Sequence, residues 1–554
     1  MNRRLFLLGS AAAIGVGSAA QAREAGFLMF GGGIHTVDAA GDGLVEALVV
    51  REGKVVFAGP LDQARPQAEG LAQIHLKGAS AYPGFVDSHV HLTGVGLREM
   101  TLNLDQVKSI AELVQAVAAW STANPGKTPV VGRGWIETHW PEKRFPSRAD
   151  LDAVAPDRPV VLERADGHAA VLNSAALRLA GITARTPDPA GGRIERDAAG
   201  EPTGMLVDGA MALIETRLPP LSFARRKAAL QRATALYAAR GWTGAVNMST
   251  SAEDLKALQQ LAAEGRLPIR VDVFMTPEDS ADVLRRGPFA DKTGLVRVRG
   301  VKLYMDGALG SRGAALLAPY SDRPDTSGLL IANHDATLAI LKQALTSKAQ
   351  VAMHAIGDRG NRLTLDWFEE AFAANPDAAK LAVWRVEHAQ IVERSDMPRF
   401  GALGLVASMQ ASHAIGDLYF APARLGSDRL DGAYAWQGLM LDGARLALGS
   451  DAPVEVGDPL IEYYAAVARK DLAGRSGEDW HPEEALTRDR ALAAFTTGAA
   501  WAVQRADEIG GLQAGQIADI TVFSGDLMTG PERDILKRKP LLTIVGGKIV
   551  HDAR

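Results

Sequence analysis

The sequence predicts an α/β protein: a (β/α)8 TIM barrel, with a small β-sandwich built from both chain ends and a large insertion after the first barrel strand. Three observations carry that expectation. Eight short apolar runs alternate with helical patterns through the middle of the chain, the signature of a parallel sheet covered by helices. Hairpin-like patterns sit at both ends, and neither end is large enough to bury a core by itself. Roughly 150 residues separate the first and second apolar runs, where a loop of this kind usually has about 2 to 6.

Taken in order, the chain opens with MNRRLFLLGSAAAIGVGSAAQA. Arg3 and Arg4 precede Leu5, Phe6 and Leu7, an Ala- and Gly-rich apolar stretch follows, and Ala20-Gln21-Ala22 has the AxA form of a cleavage site. Residues 1–22 are therefore expected to be a twin-arginine signal peptide that sends the protein to a bacterial periplasm. A Sec-type signal or an uncleaved anchor are the alternatives. No later run has the ~18 apolar residues of a membrane span.

ALVVREGKVVFAG (47 to 59) reads as strand, turn at Glu52-Gly53, strand. LLTIVGGKIVHD (541 to 552) has the same shape around Gly546-Gly547, and ADITVFSGD (518 to 526) adds a β-branched run. These segments predict one composite sandwich from residues 24–82 and 506–554. The barrel is expected over 83–505. Its strands are read at FVDSHVHL (85 to 92), TGAVNM (243 to 248), IRVDVFM (269 to 275), VRVRGVKLYMD (296 to 306), QVAMHAIG (350 to 357), AVWRVEHAQ (382 to 390), GLVASMQ (404 to 410) and RLALGSDAP (445 to 453). Helical patterns such as DLKALQQLAAEG and TLAILKQALTSK lie between them. The insertion, about 97–240, carries its own strand and helix patterns and reads as a subdomain over the barrel mouth.

Composition narrows the function. Of 554 residues, 47% are hydrophobic and 23% charged, as in an ordinary globular protein. The net charge of -5 offers no basic face for nucleic acid. There is no cysteine, so disulfides and thiolate metal sites are excluded, and any metal must be held by nitrogen and oxygen.

The candidate chemistry begins at PGFVDSHVHL. In a strand, residues i and i+2 share a face, so His89 and His91 can converge on one point. Imidazole is the commonest metal ligand, but a site needs more than two. Barrel active sites lie at the C-terminal ends of the strands. The fourth strand ends with Lys302, the fifth with His354, the sixth with His388 and the eighth with Asp451. Six such residues on five strand ends point to a metal centre. Lys302 is the odd member, because an ammonium is repelled by a cation. Burial disfavours the ammonium form, and a neutral amine can take up CO2 to become an anionic, bidentate carbamate. The alternative keeps Lys302 as an ammonium that binds substrate.

Beyond these residues, PGFVDSHVHL, DGHAAVLNSAAL, GVKLYMDGALGSRGAALLAPYSD, MHAIGDRGNR, RVEHAQ, MQASHAIGD and LGSDAPVE resemble the amidohydrolase superfamily, in the family 3 branch that contains N-substituted formamide deformylases. The resemblance covers nearly all of the chain after the signal. It implies a split β-sandwich around a metal-bearing barrel. By matching motif it also implies His89 and His91 on one metal, His354 and His388 on a second, a carboxylated Lys302 bridging them, and Asp451 both as ligand and as the acid/base beside the nucleophile. One or two divalent ions are expected, zinc first from the donor types, with manganese or iron as alternatives. The expected reaction is hydrolysis of a C–N bond, an amide, N-formyl or N-acyl bond of a small molecule, by metal-activated hydroxide. A cyclic amidase or a deacetylase would use the same site. A reading from another class is an exported binding or regulatory protein on a retired enzyme scaffold. For substrate contacts the candidates are His168, Tyr304, Arg312 and His413. Trp135 and Trp140 are read as an apolar wall or as core, and His35, His75, His481 and His551 as surface or packing residues. The oligomeric state is left open, with a homodimer as one option.

Overall fold

The structure is a computed structural model and describes residues 26–37, 43–105, 107–165, 167–189, 191–477 and 480–554. The expected signal peptide, residues 1–22, lies outside the described residues. Among the described residues no helix is long and apolar enough to cross a membrane.

Eight parallel strands form the central sheet: β1 (Phe85–Val90), β2 (Trp242–Thr250), β3 (Arg270–Met275), β4 (Val296–Tyr304), β5 (Gln350–Ala355), β6 (Arg385–His388), β7 (Val406–Gln410) and β8 (Arg445–Gly449). Each pairs with its neighbour in chain order. The strands are Val-rich and almost wholly buried, as expected for a sheet covered on both faces. Helices between them are capped by the residues that precede them. Ser251 accepts a hydrogen bond from the Asp254 amide ahead of helix Ala252–Ala263, and Asn333 accepts one from Ala336 ahead of His334–Ser347.

The sheet closes on itself just beyond the paired strands. Val90 and Ala452 form a parallel bridge. The Asp451 amide donates to the His89 carbonyl at 2.7 Å, and the His91 amide donates to the Ala452 carbonyl at 2.8 Å. Below this seam the buried Asp87 carboxylate accepts from the Ser450 amide at 2.9 Å, the Ser450 hydroxyl at 2.5 Å and the Tyr237 hydroxyl at 2.9 Å. Burial raises the Asp87 carboxyl to about 6, even though these donors act against the shift.

The chain ends meet in one continuous eight-stranded sheet. Its spatial order is Lys548–Asp552, Pro540–Val545, Ile520–Phe523, Ser80–Pro83, Gly26–His35, Leu44–Arg51 and Lys54–Gly59, with Ala72–His75 added beside Gly26–His35. Leu48, Val50, Ile74, Ile520, Leu542 and Ile544 share one apolar cluster, so both halves of this sheet bury the same core. The linking strand Ser80–Pro83 runs into β1 across the single residue Gly84. A buried pair, Arg270 Nε to Asp519 Oδ2 at 2.6 Å, also ties β3 to this sheet.

Between β1 and β2 the insertion builds a six-stranded sheet from Leu102–Asn103 to Pro202–Asp208. Trp135 and Trp140 are in its core, 0% and 1% exposed, with their ring N–H groups donating to the carbonyls of Leu162 and Val107. They form no wall of a pocket of their own. The helix Phe223–Arg240, at the end of the expected insertion span, packs on helix Leu92–Met100 and contributes Leu230, Ala233 and Tyr237 to the barrel's core.

The seam makes one substitution decisive. A Cβ on Gly449 would lie 2.4 Å from the His89 amide nitrogen and 3.0 Å from that of Ser88, both of them backbone atoms that cannot turn aside. Gly449→Ala is expected to lower unfolding free energy by about 2–3 kcal/mol through overpacking, read as a lower urea midpoint. An unchanged midpoint would show the closure to be looser than these contacts.

Candidate metal centre

The strand ends bring the six expected residues together at the barrel mouth. Nε2 of His89 and of His91 lie 3.4 and 3.2 Å from Asp451 Oδ1. Lys302 is 1% exposed, with Nζ 3.4 Å from His89 Nε2. The rings of His354 and His388 are 4.6 Å apart between centroids, and those of His89 and His388 are 4.9 Å apart. His413 stands next to His388, with centroids 5.8 Å apart, and its Nε2 is 3.7 Å from Asp451 Oδ2. Two ligand groups close enough for one ion each emerge, His89–His91–Asp451 and His388–His413–Asp451, with His413 rather than the expected His354 beside His388 in the second. They share the carboxylate.

The donor set fits a cation. His354 Nε2 lies 3.6 Å from Asp306 Oδ1, but His413 Nε2 and Asp451 Oδ1 are buried and make no well-aligned hydrogen bond. Such atoms are costly to leave open unless something fills the space they face. The tautomers also agree. His89 Nδ1 is 2.6 Å from Glu387 Oε2, and His388 Nδ1 is 2.8 Å from Gln410 Oε1. With Nδ1–H bound to these oxygens, each Nε2 lone pair points into the mouth. Burial pushes the His89 imidazole down to about 4, with Lys302 adding to the effect, and holds His354 and His388 well below the usual range. Neutral rings are the form that binds metal. Burial alone would raise the Asp451 carboxyl, but the surrounding imidazoles outweigh it and keep the group ionised.

Backbone geometry explains how β6 serves two purposes. Arg385 and Glu387 alternate into the barrel, where Arg385 donates to Glu387, to the Ser88 carbonyl and to Ser408. The next residue on a regular strand would face the helices. His388 instead has φ 71°, a left-handed conformation rare for a residue with a side chain, and Ala389 has φ 41°. That bend turns His388 into the mouth. Asp451, at φ 57°, is turned in the same way after β8.

A cavity of about 530 Å³ lies over the cluster. Lys302, His354, His388 and Asp451 line its floor, and Arg133, Arg164 and His168 of the insertion line its roof. Of the expected substrate contacts, His168, Tyr304 and His413 face this space. His168 Nδ1 is 2.9 Å from Asp208, and the Tyr304 hydroxyl is hydrogen-bonded to Ser249. Arg312 is not brought in. Its guanidinium is tied to Asp322 by bonds of 3.1 and 2.8 Å, away from the cavity lining. His35 is buried and stacked on Tyr82, a packing role. Sequence reasoning did not single out Glu387, Gln410 or Glu455. The signal for Glu387 was its place two residues after Arg385 on one strand face, which only a partner across the barrel makes meaningful.

Residues 73–551 match the model of the amidohydrolase family. The chain belongs to the amidohydrolase family. "Putative amidohydrolase YtcJ" of Bacillus subtilis (strain 168) is 33% identical over 536 residues, 94% of this chain and 98% of that one. The N-substituted formamide deformylase of Arthrobacter pascens is 28% identical, covering 94% of this chain and 97% of its own. A crystal structure of an uncharacterized metal-dependent hydrolase from Pyrococcus horikoshii OT3 superposes with a TM-score of 0.76 at 30% identity, over 92% of this chain and 99% of that chain. As an amidohydrolase, the chain is a metal-dependent hydrolase built on a (β/α)8 barrel.

In this amidohydrolase, Glu387 is the residue that fixes His89. Burial would raise its carboxyl, but the Arg385 guanidinium and His89 bring it down to about 2. Glu387→Gln keeps the shape and removes the charge. It is expected to weaken divalent-metal binding by about 10- to 100-fold, measured by competition with a chelator. Wild-type affinity in that variant would show that Glu387 only packs.

Proposed function

We propose that the protein hydrolyses a C–N bond of a small molecule, an amide, N-formyl or N-acyl bond, at the cluster of His89, His91, Lys302, His354, His388 and Asp451. The observation that carries this reading is the convergence of ligand atoms in two groups, His89–His91–Asp451 and His388–His413–Asp451, the atoms of each within 4.8 Å of one another, beneath a cavity sized for a small molecule. The relative named as an N-substituted formamide deformylase supports the N-formyl case. Cyclic amides and N-acetyl groups are the alternative substrates for the same chemistry.

One or two divalent ions, zinc first, would be held by the four histidines and Asp451, with Lys302 joining them as its carbamate. When bound, such an ion supplies Lewis acidity and makes water nucleophilic near neutral pH. Asp451 takes a proton from the attacking water as the O–C bond forms. It then returns that proton to the amide nitrogen as the C–N bond breaks, so acid and amine leave in balance. Its position 3.2–3.4 Å from Nε2 of His89 and His91 suits that exchange. His413 Nε2, open and buried, is placed to donate to the substrate carbonyl oxygen, and His168 and Tyr304 offer further contacts from the cavity wall. The N-terminal pattern of Arg3, Arg4 and Ala20-Gln21-Ala22 supports export to the periplasm, by a route that carries folded, cofactor-loaded proteins.

The test is a panel of N-formyl, N-acetyl and cyclic amides assayed with metal-loaded and chelator-stripped protein. Turnover is expected only with metal. Asp451→Asn should lose at least about 100-fold in kcat, the low end of what a positioned acid/base contributes, while holding most of the metal. Retained turnover would remove Asp451 from this role. Lys302→Ala should lose metal, with part of the activity restored by millimolar formate or propionate. Full metal content in Lys302→Ala would end the carbamate reading. A metal-free chain that binds ligand without turnover would favour the binding-protein reading.

A further inference from the structure

The cavity over the cation cluster has a charge pattern that the hydrolytic step does not use. Its two lining arginines are neutralised: Arg133 Nη1 lies 3.0 Å from Glu163 Oε1, and Arg164 Nε lies 2.8 Å from Glu137 Oε2. Three further carboxylates line it from three different places: Asp105 after the insertion strand Leu102–Asn103, Asp417 after β7 and Glu455 after β8. Asp105 has Arg98 3.6 Å away. Asp417 accepts from the Gln390 amide at 3.1 Å and from the Tyr434 hydroxyl. Glu455 has no lysine or arginine in ion-pair reach and no side-chain hydrogen bond among the described residues, and His413 Nε2 lies 3.7 Å from its Oε1. The nearby Arg98 guanidinium is committed to the backbone carbonyls of Glu455 and Val456.

His413 points to a ligand independently. It is 8% exposed, its Nε2 has no hydrogen-bond partner, and it lines the cavity. That atom stands 3.7 Å from Asp451 Oδ2 on one side and 3.7 Å from Glu455 Oε1 on the other. No more than two such contacts therefore separate the reacting centre from Glu455. Phe420, Leu309 and Ile136 make other parts of the wall apolar. An unneutralised carboxylate in a largely apolar cleft strongly favours a cation there.

We infer that Glu455, with His413 beside it, binds a positively charged group of the substrate, an ammonium, quaternary ammonium or guanidinium, a few bonds from the scissile C–N bond. Naming this ligand a substrate rests on the hydrolytic reading above. The cation site itself rests on the charges of the cavity. The substrate class becomes a cationic amide, and Glu455 a specificity residue.

Two matched pairs of probes test this on the zinc-loaded, full-length protein. N-formyl-2-(trimethylammonio)ethylamine and N-formyl-3,3-dimethylbutylamine share a shape and differ in one charge, as do choline and 3,3-dimethylbutanol. The wild type should favour the charged formamide in kcat/KM by about tenfold or more, the factor given by a charge pair of about 1.4 kcal/mol. Calorimetry should show it binding choline and not the alcohol. Glu455→Gln should bring both ratios close to one with zinc content unchanged, and Glu455→Asp, which keeps the charge, should retain part of the preference. If neither formamide is turned over but choline binds and Glu455→Gln abolishes that binding, the cation site stands and the hydrolytic reading falls. Equal treatment of charged and neutral partners by the wild type, in turnover and in binding, would overturn the site. Loss of zinc from Glu455→Gln would overturn it too, because Glu455 would then be holding metal.

Discussion

The closure of β8 on β1 is the constraint on which the rest of the molecule depends. Asp451 reaches the cluster because its own amide is bonded to the His89 carbonyl, and His91 is fixed because its amide is bonded to the carbonyl of Ala452. The backbone bonds that close the barrel therefore also set the spacing between the histidine pair and the carboxylate. Beneath them, Asp87 gathers Ser450 and Tyr237 into a buried polar knot. A polar knot of this kind is favourable only when every partner is present. Closure and site formation are in that sense one event.

A second polar column runs through the barrel interior. Arg385 and Glu387 are both 0% exposed and bonded to each other, and together they reach His89, Ser88 and Ser408. Burying such a pair brings little net stability, but removing one partner would strand a charge at a cost of about 3–5 kcal/mol. Its value lies in orientation: Glu387 selects the tautomer of His89, and Gln410 does the same for His388. The left-handed residues His388 and Asp451 show local strain accepted at the same place.

Chemistry and recognition are divided between parts of the chain. The barrel strand ends supply the cation-binding atoms, while the six-stranded insertion supplies the roof with Arg133, Arg164 and His168. The loops after β7 and β8 add His413, Asp417 and Glu455. A fixed floor under a variable roof is how one barrel can serve many substrates. The mixed sheet at the chain ends takes no part in the cavity. It anchors the base of the barrel through the strand that leads into β1 and through Arg270 with Asp519.

The sequence by itself determined the barrel, because each of its eight strands is a short apolar run between helical patterns, and that periodicity survives in a linear reading. It also determined the chemical types at the strand ends, since histidine, lysine and aspartate announce themselves wherever they stand. Only the tertiary structure decided what depends on partners far apart in the chain. The strands Gly26–His35, Ala72–His75 and Ser80–Pro83 were not legible, being short or glycine-interrupted and stabilised by pairing across the molecule. Arg312 read as a substrate contact, yet Asp322 claims it. Glu387 and Glu455 looked like ordinary carboxylates, and burial against His89 in one case and His413 in the other gave them meaning. Sequence pattern fixes which face a residue shows within its own element. Which other face it meets, and how dry that meeting is, is settled only when the whole chain packs.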